Sequence, residues 1–196
     1  MSMRRRLLQP RMKTITLIVA LGSSLLLATP AFALLKGGPA PITSEELTRA
    51  KQAWCDALLL ISRTHREGGN AKAVAERVID SAYNYAAGPV LFKPTLTFGE
   101  QTFRMTRAGA LAYFVGGDTA FPNDSGFALK PWTAASFAIA GTYIEGPLGT
   151  TMGHVTLTDD KGSRTTVEKT FIFRRGDDGK LRIVLHKSAL PYSPKK

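Results

Sequence analysis

The chain has 196 residues, with 26 Lys and Arg against 15 Asp and Glu, one Cys, 44% hydrophobic residues and a mean hydropathy of −0.04. That length suits one domain with a removable leader, and the apolar content argues against disorder and against a polytopic membrane protein. A lone cysteine excludes an intrachain disulfide framework and a cysteine-based zinc cluster.

The formal charge of +11 is concentrated at the start of the chain. Arg4, Arg5, Arg6, Arg11 and Lys13 stand there without an acid, followed by an apolar stretch over 15–27, a break at Pro30 and the small-residue pattern Ala31-Phe32-Ala33. This order predicts a secretory signal peptide over 1–33, with the protein periplasmic or secreted. The apolar stretch falls short of the ~20 residues a span requires, so no stable membrane insertion is expected after cleavage. The remaining 163 residues carry 21 basic and 15 acidic residues. That net charge of +6 is too weak an electrostatic footprint for nucleic acid.

A flexible entry segment is expected over 34–41, where Gly37, Gly38, Pro39 and Pro41 crowd together. Thr43 with Glu46 three residues later makes a capping box, and Ile42 can staple onto Leu47. Leu47, Ala50, Trp54, Ala57, Leu58 and Ile61 then recur at helical spacing until Gly68-Gly69. Asn70 caps a second expected helix in which Val74, Val78, Ala82 and Tyr85 repeat the spacing, closed by Gly88-Pro89. Beyond Pro89, short β-prone runs predict strands over 102–105, 111–115, 136–144, 154–158, 165–174 and 180–186. Asp159-Asp160-Lys161-Gly162 and Gly176-Asp177-Asp178-Gly179 are turn sequences that join the last three into an antiparallel meander. In 165–174, Val167, Lys169, Phe171 and Phe173 share one face, and its two aromatics mark that face as covered. Helices followed by antiparallel strands predict an α+β domain over 42–192, with helices on one face of a curved sheet and a pocket between them.

Nucleophile-elbow, P-loop and dinucleotide patterns are absent, and Gly116-Gly117-Asp118 reads as a turn. His65, His154 and His186 lack a metal-binding spacing. His65 suits the end of the first helix, His154 the surface of a strand, and Cys55 a buried helical position. His186 and Ser188 differ, because two residues apart on a strand they point the same way. An imidazole beside a hydroxyl is suited to binding and proton relay, or else simply ties down a strand end.

Several segments resemble the iota-class carbonic anhydrases. They include Lys93-Pro94-Thr95-Leu96, Tyr113-Phe114-Val115-Gly116-Gly117, Gly126-Phe127-Ala128-Leu129, Pro131-Trp132, Val167-Glu168-Lys169-Thr170 and the stretch from Leu181 to Pro191. The resemblance implies an NTF2-like (SnoaL-like) cone, related to the calmodulin-dependent kinase II association domain and forming a homodimer. The activity it implies is reversible hydration of carbon dioxide to bicarbonate. It implies no cofactor in the metal-free type, with zinc or manganese as the alternatives in other members. By motif, the implied pocket residues are Thr95, Tyr113, His186 and Ser188. The family pattern in the last strand is His-His-Ser-Ser, so Lys187 and Ala189 depart from it. Alternation puts both departures on the face opposite His186 and Ser188.

Arg104 or Arg107 is available to hold an anion, and Phe127, Trp132 and Phe137 to wall an apolar pocket. Two other functions compete: a non-catalytic small-molecule-binding or dimerisation module, and a different pocket enzyme using Tyr113 and His186 as acid and base.

Overall fold

The computed structural model describes residues 38–194; the expected signal over 1–33 lies outside the described residues. Helix α1, Ser44–Arg66, begins as its sequence demands: the Thr43 hydroxyl accepts from the Glu46 amide, and the Glu46 carboxylate accepts from the Thr43 amide. Its Leu47, Trp54, Leu58 and Ile61 are buried. His65 falls in the last turn, where a basic group complements the helix dipole. Helix α2, Ala71–Ala82, starts under the Asn70 cap, with Asn70 Oδ1 accepting from the Ala73 amide at 2.9 Å. Ala71, Ala75 and Ile79 form its buried line, while Val74, Val78 and Ala82 pack at the margin.

The second helix stops before Tyr85, contrary to the periodicity. Tyr83 turns extended and bridges to Ile183, and this takes its side chain out of the helix and into the core. Strand β1, Leu91–Lys93, follows. It is three residues long and Pro94 removes the next amide donor, so no run long enough to be read as a strand exists.

Two expected strands are corrected. The stretch 111–115 lies in helix α3, Arg107–Val115, and 102–105 belongs to no strand. A short apolar run does not distinguish the two states by itself. Here Thr106 caps the Gly109 amide, and Ala110, Tyr113 and Phe114 bury one helical face. Gly116, at φ 63°, ends the helix, and the turn expected over 116–118 falls just after it, at 119–120, where the Phe121 amide donates to the Asp118 carbonyl.

The remaining strands are β2 (Trp132–Glu145), β3 (Leu148–Asp159), β4 (Arg164–Arg175) and β5 (Leu181–Ala189). Each contains an expected strand core, except that β5 starts one residue later than expected. The two predicted turns join β3 to β4 and β4 to β5. The sheet order is β1-β5-β4-β3-β2, with β1 parallel to β5 and the other pairs antiparallel. Three helices thus cover one face of a five-stranded mixed sheet, an α+β arrangement.

The register of β5 contains one irregularity that matters. Phe173 pairs with Ile183 and Ile172 with Leu185, leaving Val184 as an extra residue in a bulge. Strict alternation would put Ile183 and His186 on opposite faces. The bulge lets both be buried beneath the helices.

Candidate active site

Strand β5 delivers His186 and Ser188 to the covered face, where both are buried, while Lys187 between them is exposed. Parallel pairing sets Lys93 beside Lys187. Continuing past Pro94, the chain brings Thr95 against Ser188, and their hydroxyls meet at 2.6 Å inside the core. The third side chain comes from α3. Tyr113 is buried against Phe92 at 5.8 Å and stacks on Phe127 at 5.5 Å. Burial pushes its phenol up to about 12, opposed by the nearby Thr95 hydroxyl and the Leu96 and Thr95 backbone. None of these groups is placed to make a full hydrogen bond, so Tyr113 Oη is a buried polar atom without a partner. Such an atom is costly unless something fills it during function.

His186 is held differently. Its ring lies between Phe92, 4.6 Å away and nearly coplanar in orientation, and Phe171 at 4.4 Å. Nδ1 is 3.0 Å from Tyr83 Oη, which also accepts from the Trp54 indole at 3.0 Å. Nε2 is 2.9 Å from Lys169 Nζ. Burial, reinforced by Lys169, holds the imidazole well below its ordinary value, so it is neutral at pH 7. Both ring nitrogens are engaged. A role as a free base of ordinary basicity does not fit this placement.

Lys169 and Tyr83 are the members that sequence reasoning missed. Lys169 stands on β4 directly across from Ser188 and only 3% exposed. Burial brings its amine down to about 7, against a small opposing effect from Cys55. The signal was present in the alternation, which puts a lysine in line with Val167, Phe171 and Phe173. Tyr83 carried no comparable signal, because its position depends on a helix ending early.

The other candidates separate. Arg104 is buried and bonded through two nitrogens to Asp124, leaving Nη1 without a partner. Arg107 is at the surface, paired with Asp80. Phe127 walls Tyr113, Trp132 backs Phe127 at 5.8 Å, and Phe137 lies apart against Phe171 and Lys51. His154 is exposed on β3, and Cys55 is buried with its thiol raised to about 11 by desolvation. Among the described residues, no three His, Cys, Asp or Glu side chains gather as a metal-binding group.

A helix-backed mixed sheet whose covered face carries two touching hydroxyls, a phenol and an imidazole defines an α+β protein with the groups to hold a small polar molecule. Residues 45–190 match the family model described as metal-independent carbonic anhydrase, and the chain belongs to that family. A relative from Nostoc sp. (strain PCC 7120), named metal-independent carbonic anhydrase, is 55% identical over 153 residues, covering 77% of this chain and 75% of its own. The crystal structure of a cyanobacterial iota-carbonic anhydrase complexed with bicarbonate aligns with TM-score 0.78 and 54% identity, over 79% of this chain and 95% of that one. A Xanthomonas campestris protein described as a calcium/calmodulin dependent protein kinase II association domain shares the fold alone. It has TM-score 0.51 and 19% identity, over 78% of this chain and 91% of that one.

Proposed function

We propose that this protein catalyses reversible hydration of carbon dioxide to bicarbonate without a metal, at Thr95, Tyr113 and Ser188, with His186 supporting them from behind. The observation that carries the assignment of residues is the buried 2.6 Å contact between Thr95 and Ser188, beside a phenol with no partner of its own.

Physical chemistry narrows what such a site does. Zinc lowers the pKa of bound water from about 15.7 to about 7. Without that assistance, forming free hydroxide at neutral pH leaves about 12 kcal/mol unprovided. The water therefore loses its proton as the new C–O bond forms, never standing as hydroxide. Of the two touching hydroxyls, one donates to the other, which leaves an oxygen lone pair to receive a hydrogen from the water. Tyr113, kept neutral by burial, donates to the oxygen that gains charge in the product. The proton leaves by way of the hydroxyl pair to solvent, which Thr95 reaches at 9% exposure. His186, tied at both nitrogens to Tyr83 and Lys169, fixes the strand that carries Ser188. Phe127, stacked on Tyr113, presents an apolar wall to the substrate.

The decisive measurement is stopped-flow hydration of carbon dioxide by protein treated with a strong chelator. Undiminished acceleration supports the reading, and loss of activity restored by zinc overturns it. We further infer export to the periplasm or cell exterior from the sequence of 1–33. The homodimer rests on apolar groups such as Leu91 and Met152, exposed on the sheet face away from the helices. Light scattering on the mature chain tests the dimer, and N-terminal sequencing of exported protein tests cleavage after Ala33.

A further inference from the structure

The Trp54, Tyr83, His186 and Lys169 side chains form one continuous hydrogen-bonded chain, with donor–acceptor distances of 3.0, 3.0 and 2.9 Å. An indole N–H only donates, so Tyr83 Oη accepts from Trp54 and its own hydrogen is available to His186 Nδ1. A neutral imidazole accepting at Nδ1 carries its hydrogen on Nε2. That hydrogen then points at Lys169 Nζ, which accepts it only as an uncharged amine. With an ammonium at Lys169, the polarity reverses: Nζ donates to Nε2, and the imidazole hydrogen moves to Nδ1.

We propose that Lys169 is a positioning residue of this site, and that its gain or loss of a proton selects which nitrogen of His186 carries hydrogen. One proton added at Tyr83 Oη and passed along the chain leaves an ammonium at Lys169 and the Nδ1–H form of His186. Tyr83 and His186 remain neutral.

The surroundings make both states accessible. Lys169 has no carboxylate partner among the described ion pairs, which favours the amine, while its Nζ lies 4.3 Å from the centre of the Trp54 ring, which favours the ammonium. From α1, Cys55 faces it as a thiol, and Lys51, buried one turn away, sits 5.4 Å over Phe137. Asp56 acts on Cys55. From β3 the cross-strand neighbour is Gly153, and from β5 it is Ser188, neither of them charged. With the amine brought to about 7, the exchange falls near neutral pH. The consequence for turnover rests on the hydration reading above; the coupling between Lys169 and the tautomer does not.

The test is nitrogen NMR of protein labelled at histidine, titrated from pH 5 to 9, alongside hydration rates over the same range. His186 is expected to change from Nδ1–H to Nε2–H as pH rises through about 7. Lys169→Met should abolish the change, and Lys169→Arg, permanently charged, should hold the Nδ1–H form. A wild-type His186 with one tautomer throughout, or a crossover that survives Lys169→Met, overturns the proposal, and the wild-type result needs no variant to fold. The pH–rate profile should lose its limb near neutrality in Lys169→Met. A tautomer change without such a limb leaves the coupling standing and removes His186 from the reaction.

Discussion

The two ends of the buried cluster solve opposite problems. At the hydroxyl end, Thr95 and Ser188 bond to each other, and Tyr113 Oη has no partner. At the imidazole end, both His186 nitrogens and the Tyr83 oxygen are engaged, and the rings of Phe92 and Phe171 enclose them. One end retains capacity to bind; the other is already complete. A completed network holds its members still, so the second end orients while the first receives substrate.

Removing the hydroxyl end should register first in activity, with up to about 1–3 kcal/mol of stability lost where Thr95 is left without its partner. Ser188→Ala is expected to lower kcat/KM for hydration by about 10²–10⁴, the span of assistance from a group that accepts the water's proton, checked by stopped flow. Tyr113→Phe, which removes the donor to the oxygen that gains charge, should lose about 10²–10³. Below pH 9 the rate profile of the wild type should show no limb from Tyr113, because burial keeps its phenol protonated to about 12. A limb assigned to Tyr113 near pH 8 would erase the distinction between the two ends.

Disturbing the imidazole end should register first in stability. Tyr83→Phe strands the Trp54 indole hydrogen and one His186 nitrogen, at a cost of about 1–3 kcal/mol in urea denaturation. The buried lysine adds a pH signature of definite sign. An unfolded lysine keeps its proton to about pH 10.4, whereas Lys169 releases it near 7. Unfolding between these values takes up a proton, so stability should rise with pH from about 7 to 9.5. In Lys169→Met that slope should flatten. The smallest effect belongs to Lys187→His, on the exposed face, with stability expected to stay within about 0.5 kcal/mol and hydration unchanged.

How far the sequence discloses this arrangement depends on the range of the forces involved. The α1 cap is legible because Thr43 and Glu46 satisfy each other within one turn. The partnership of His186 and Ser188 is legible because alternation is local. The stretch 111–115 reads locally as a strand, yet it lies in helix α3, whose helical state is settled by Tyr113 and Phe114 packing on Phe92. The Tyr83–His186 contact spans 103 residues and depends on α2 ending at Ala82. No local pattern encodes it. Lys169 is the intermediate case: a charged residue on the apolar side of a strand was visible, but its partner was not.

Val184 has a wider consequence. Because the strand carries an unpaired residue there, its two halves answer to separate demands: Ile183 meets the α2 end through Tyr83, while His186 and Ser188 meet Thr95 and Tyr83. Downstream of that kink only every second letter is constrained by chemistry, and the intervening letters are free to drift with whatever lies outside. Homologues should therefore be sorted by alternate positions of this segment, and a missing second histidine alone is no ground for declaring a member inactive.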